Sequence, residues 1–165
     1  MRPAKPSKTN AMRALERGGV AFEAQVYEDD GSLATGYGMH VAEALGEDPD
    51  TAFKTLVTVA PSGSHVVCCI PVAHELDLKK AARAAGEKNI EMVKSSELFG
   101  LTGYVHGGCS PLGMKKLFPT YIDETCVLFD TVMFSAGRIG AQLIMSYEDL
   151  AAAMPIEACD LTVVC

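Results

Sequence analysis

The sequence predicts one α/β domain of the α+β kind, with helices around a mixed, curved sheet. Strand patterns outnumber helical ones, hairpin signals alternate with helical crossovers, and no shift in composition marks a linker across the 165 residues. A chain of that length closes one sizeable core without disulfides or metals. At 48% hydrophobic and 21% charged residues it is too apolar to be disordered. No apolar run approaches the ~20 residues that span a bilayer, and the polar start Met1-Arg2-Pro3-Ala4-Lys5-Pro6-Ser7-Lys8 lacks a secretory stretch. The expectation is a soluble cytoplasmic protein, with residues 1–6 a flexible N-terminus and 7–165 the domain.

Taken in order, Ser7 is placed to cap a helix through Arg17, with Ala11, Ala14 and Leu15 at helical spacing and Gly18-Gly19 as its stop. Val20, Phe22, Ala24 and Val26 alternate as in a strand ending at Tyr27. Glu28 to Ser32 reads as a loop, His40 to Leu45 as a short amphipathic helix, and Asp48-Pro49 as the start of a helical turn. Lys54–Ala60 and His65–Val72 are apolar strands joined by Pro61-Ser62-Gly63-Ser64, a hairpin signal. Asp77 caps a helix through Ala85, stopped by Gly86. Ile90–Val93 is a short strand, and Ser95 or Ser96 caps a brief helix to Phe99. Gly100 to Gly113 holds five glycines and a proline, too many for a regular element. Strands follow at Thr120–Asp123, Val127–Ser135 and Ala141–Met145. Ser146 caps a helix over Tyr147–Met154, and Ala158–Val164 reads as a last strand.

The net charge of −7 argues against a binder held on nucleic acid by overall positive charge. The charges are unevenly spread, however. Gly18 to Phe53 carries eight acids and no Lys or Arg, whereas Lys79 to Lys116 carries seven bases against Glu87, Glu91 and Glu97. That stretch is either a solvated helix face or a local surface for phosphate. None of the six cysteines forms a C-x-x-C pair and the four histidines show no ligand spacing, so neither a zinc site nor a redox motif is expected.

Three places suit chemistry. Lys54 opens an apolar strand, where an ammonium must either snorkel to solvent or stand at the mouth of a ligand hollow. Gly103-Tyr104-Val105-His106-Gly107-Gly108-Cys109-Ser110-Pro111-Leu112-Gly113 is a loop whose N–H groups can converge on a carbonyl oxygen or phosphate. Ser135-Ala136-Gly137-Arg138-Ile139-Gly140 puts a hydroxyl and a guanidinium in one turn between strands. Cys109 with His106 as base offers a nucleophile reading, though nearness in sequence does not make a Cys–His pair.

In succession these segments resemble the YbaK/EbsC family of aminoacyl-tRNA deacylases, trans-editing relatives of the prolyl-tRNA synthetase insertion domain. The resemblance runs from Lys8-Thr9-Asn10-Ala11 through Phe53-Lys54-Thr55-Leu56, Ile70-Pro71-Val72 and Glu75-Leu76-Asp77-Leu78-Lys79-Lys80-Ala81-Ala82. It continues through Leu101-Thr102-Gly103-Tyr104, Gly107 to Lys116, Pro119-Thr120-Tyr121-Ile122-Asp123, Ser135-Ala136-Gly137-Arg138 and Asp160. It implies a barrel-like mixed sheet ringed by helices and a cytoplasmic deacylase that clears cysteine from Cys-tRNA(Pro), and also from Cys-tRNA(Cys). Neither cofactor nor metal is implied, and prolyl-tRNA synthetase is an implied partner.

By the same resemblance Lys54, Gly107, Gly108 and Ser135 are catalytic. Tyr27, Cys109, Ser110, Pro111, Gly137 and Arg138 bind substrate. In the implied reaction the substrate's own thiol attacks the ester, while N–H groups of Gly107 to Ser110 face the oxyanion. His106 stands where relatives often carry Arg, Ile139 where they carry a second base, and Gln142 where some carry Asp. The alternatives are a deacylase for Ala-tRNA(Pro) or another small amino acid, and a non-catalytic module that docks on tRNA or a synthetase.

Overall fold

The computed structural model describes residues 8–26 and 49–164. Tyr27, the 28–32 loop and the helix expected at 40–45 lie outside the described residues. The first helix, α1 (Asn10–Arg17), is capped by Thr9, whose hydroxyl accepts the Met12 N–H at 3.2 Å. The cap is therefore Thr9 and not the Ser7 expected. Strand β1 (Glu23–Val26) follows, and after the 3₁₀ turn Pro49–Thr51 come β2 (Phe53–Val59) and β3 (His65–Pro71). Helix α2 (Leu78–Ala85) starts at Asp77, whose carboxylate accepts from the N–H groups of Lys79 and Lys80, and closes at Gly86.

Two expectations of the middle of the chain are corrected. After the short strand β4 (Glu91–Met92), helix α3 spans Ser95–Thr102; its N-cap is Lys94, and both serines lie inside the first turn. It runs past Phe99 through Gly100, a residue that costs a helix about 1 kcal/mol, because Leu98 and Thr102 are buried on its inner face. The Thr102 hydroxyl also donates to the Leu98 carbonyl at 2.8 Å.

Beyond β5 (Thr120–Asp123), residues Glu124–Leu128 form a 3₁₀ turn, so β6 covers Val132–Ser135 and not the longer 127–135. The turn is held by the Asp123 carboxylate, which accepts from the Thr125 N–H and hydroxyl and leaves Val127 and Leu128 exposed. Strand β7 (Ala141–Met145), helix α4 (Tyr147–Ala153, capped by Ser146) and β8 (Glu157–Cys159) complete the described chain.

The described strands make two sheets that do not close into a barrel. One is antiparallel, in the order β1-β7-β6; the other is mixed, in the order β4-β2-β3-β5-β8, with β3, β5 and β8 parallel. A bridge between Ala52 and Met133 joins them. Strand β3 is buried on both faces, as its unbroken apolar run requires. Val66, Cys68 and Ile70 pack with Ala81 and Ala82 of α2. On the other face Val67 meets Leu98, Tyr104 and Phe118, and Cys69 joins Phe134, Leu143 and Leu15. Within the mixed sheet β4 pairs with Thr58 and Val59, the far end of β2. Among the described strands none pairs with the Phe53–Leu56 end of that edge, which faces the antiparallel sheet, and the site lies there.

Candidate active site

A cleft of about 290 Å³ opens where the start of β2 approaches β6 and β7. Ala52 to Leu56 form one wall, Met133, Ser135 and Gln142 another, and Leu98 with His106, Gly107 and Cys109 closes it. Lys54, Gly107, Cys109 and Ser135, three separate stretches of the sequence, thus share one hollow. Gln142 is Ser135's partner in the β6–β7 ladder, which places both at the same depth in the fold.

Lys54 is half-buried, and among the described residues no carboxylate lies within ion-pair distance of it. Burial draws its pKa below the ordinary lysine value, while the charge of Glu75 pulls it part of the way back. Glu75 was not singled out from the sequence. It sits in the turn after β3, which the C-terminal segment pins down: the Val163 N–H donates to the Glu75 carbonyl and the Asp77 N–H to that of Leu161. An ammonium without a paired carboxylate, at the edge of an apolar cleft, is poised to receive an oxygen-rich ligand.

The glycine loop and the 135–140 turn form one body. A Cβ on Gly108 would stand 3.0 Å from Arg138 Cα and from the Ile139 nitrogen, so the two backbones touch and a side chain there would push them a few tenths of an ångström apart. Gly137, at φ 108°, lies on the Tyr104 ring, where a Cβ would come within 2.7 Å of Cε1. The Tyr104 hydroxyl donates to the Leu112 carbonyl at 2.6 Å and holds the loop's far end. Ser135 Oγ accepts the Gly137 N–H at 3.1 Å; with the oxygen fixed, its own proton can be donated into the cleft.

The remaining candidates lie elsewhere. The Gly108 N–H donates to the Val105 carbonyl at 2.9 Å, and the loop residues lining the hollow are His106, Gly107 and Cys109. Ser110 is fully buried and its hydroxyl accepts from the Leu112 N–H, a turn-forming bond. Pro111 lines a second hollow against Ala14 of α1 and Met154. Gly137 and Arg138 support the loop from behind, with the Arg138 Nε buried and without a hydrogen-bond partner. Tyr27 lies outside the described residues.

Cys109 is 7% exposed, and burial pushes its thiol up to about 11, with a weaker opposite pull from the Thr102 hydroxyl. At neutral pH it is a thiol, not the thiolate a nucleophile needs. His106 shares the cleft but is exposed, and no hydrogen bond joins it to Cys109. Among the described residues no group of three or more His, Cys, Asp or Glu could hold a metal ion, and no helix is long and apolar enough to cross a membrane.

Comparison with known proteins places these features in a family. The model of the aminoacyl-tRNA editing domain matches residues 39–153. A protein of Enterococcus faecalis provisionally named Cys-tRNA(Pro)/Cys-tRNA(Cys) deacylase EbsC is 44% identical over 144 residues, covering 86% of this chain and 85% of that one. A proline–tRNA ligase of Pelobacter propionicus is 33% identical over 76 residues, 46% of this chain and 13% of the ligase. Among solved structures, one provisionally described as a trans-editing enzyme for prolyl tRNA synthetase superposes with a TM-score of 0.85 at 26% identity, covering 98% of this chain and all of that one.

Proposed function

We propose that this chain, which belongs to the aminoacyl-tRNA editing domain family, clears cysteine from mischarged Cys-tRNA(Pro), and from Cys-tRNA(Cys), as a trans-editing deacylase. Family membership makes an aminoacyl-tRNA the substrate and deacylation the reaction. The observation that carries the finer reading is the shared cleft, in which an ammonium with no ion-pair partner among the described residues, the Gly107–Cys109 loop and a serine hydroxyl stand around a hollow of amino-acid size.

The reaction needs no nucleophile from the protein. The thiol of the esterified cysteine attacks its own carbonyl carbon, so a carbon–sulfur bond forms and the bond to the ribose oxygen breaks. The thiol proton ends on that oxygen. The tRNA leaves with its hydroxyl restored, and cysteine leaves as a thiolactone that water then opens. The protein's task is to fold the ester into the conformation from which attack occurs and to stabilise charge as it develops. Lys54 supports the carbonyl side of the ester or the terminal adenosine. Loop N–H groups at Gly107 and Cys109 face the oxyanion, and Ser135 orients the amino acid through its free proton. Gly108, Gly137 and Arg138 act by holding the loop in place.

Residues 7–165 act as one editing unit, in the cytoplasm where charged tRNA is found, alongside a prolyl-tRNA synthetase. The similarity to a segment of a proline–tRNA ligase supports that pairing. Incubating the protein with Cys-, Ala- and Ser-charged proline tRNA tests the substrate: cysteine release is expected. Preferential release of alanine would reassign the amino acid, and binding without release would make the protein a docking module.

A further inference from the structure

Outside the cleft, α3 and the segment after the glycine loop carry large apolar side chains on the surface. Phe99 is 57% exposed and Leu117 65%, two large apolar side chains standing in solvent. The ammonium of Lys115 lies 5.0 Å from the centre of the Phe99 ring. Lys94 and Lys116 are exposed beside them in the sequence, and Glu97 is the one acid within α3. On a chain of net charge −7, this puts aromatic surface and positive charge together.

The arrangement is held in place from beneath. The Lys115 N–H donates to the Thr102 carbonyl at the end of α3. Its methylene chain crosses the bare backbone of Gly103, about where a Cβ would meet Lys115 Cγ at 3.3 Å. It also borders the active site. Leu98 of the same helix lines the cleft, and Phe99, the next residue, turns about 100° away from it and into solvent.

We infer that Phe99, Lys115, Lys116 and Leu117 form a stacking platform for the unpaired 3′ nucleotides of the charged tRNA, the partner class being single-stranded RNA. The inference rests on the deacylase reading for the identity of the strand. An exposed aromatic ring offers a face to a base of any sequence, and the lysines meet the phosphates between bases, the two ingredients by which single strands are held. A surface at this point would hold the nucleotides preceding the esterified adenosine while the ester lies in the cleft.

The test uses charged tRNA together with a fluorescently labelled single-stranded RNA of a few nucleotides ending in CCA. Phe99→Ala should raise KM for the charged tRNA about tenfold, the effect of losing one stacked base, with kcat within about twofold of the parent. Phe99→Trp, which keeps a ring, should restore KM. The same Ala variant should weaken binding of the labelled RNA by a similar factor, and Lys115→Met should flatten the salt dependence of binding. An unchanged KM, a loss confined to kcat, or a Trp variant as impaired as Ala would overturn the platform. The RNA-binding arm does not depend on turnover: a parent protein inactive on every charged tRNA would remove the deacylase reading, whereas an active parent with an indifferent Phe99 would remove this inference alone.

Discussion

At the scale of single residues the account turns on Lys54. It stands half-buried at the edge of a strand with no ion-pair partner among the described residues, a costly placement that a ligand would compensate. Lys54→Ala should lower the deacylation rate by about 10²–10³-fold, the range for removing one electrostatic contact to a transition state, with a thermal unfolding midpoint close to the parent's. A rate within a few-fold of the parent would take Lys54 out of the mechanism. Because burial lowers its pKa and Glu75 only partly offsets this, the ammonium loses its proton at a lower pH than a free lysine. Turnover should therefore fall on the alkaline side before pH reaches the ordinary lysine value, and a pH–rate profile over a stable fold would show that limb. Cys109→Ala should keep most of the activity, since the thiol is buried, protonated and unpaired with His106. Total loss with the fold intact, seen in the same assay, would restore the nucleophile reading.

At the scale of elements, what was legible followed from local chemistry. Asp77, Gly86 and Ser146 mark their helices because capping is decided within a few residues, and the 61–64 turn gives the hairpin for the same reason. The misread boundaries depended on distant packing. Val127 and Leu128 look like a strand in sequence, but the Asp123 carboxylate winds that stretch into a 3₁₀ turn and exposes both. The glycine loop is legible from its composition, whereas the separate jobs of its glycines are not. Gly108 is a contact between two backbones more than a hydrogen-bond donor to the cleft. Gly108→Ala should push the loop and the 135–140 turn apart. The expected result is a drop in kcat of about tenfold or more, as misplacing reacting groups by a fraction of an ångström brings, together with reduced stability on denaturant unfolding.

At the scale of the whole molecule, the candidate site lies at the seam between two sheets. Lys54 opens a strand of the mixed sheet, Ser135 ends one of the antiparallel sheet, and the Gly107–Cys109 loop lies across the junction beside the Ala52–Met133 bridge. Sequence patterning shows which residues are apolar or turn-forming, but not which strand edge is left without a partner among the described residues. That β4 stops short of the start of β2 could not be read, nor could the approach of Glu75 to Lys54 through the pinned C-terminal segment. On the proposed reading, the assembled cleft folds the ester so that its own side chain cleaves it. The most direct measurement is the single-turnover deacylation rate of Cys-tRNA(Pro) beside that of the same tRNA charged with S-methylcysteine, whose sulfur cannot attack. The account predicts rapid loss of cysteine and a rate for the methylated ester no faster than without protein. Equal rates for the two would contradict it and assign the attack to water or to a group of the protein.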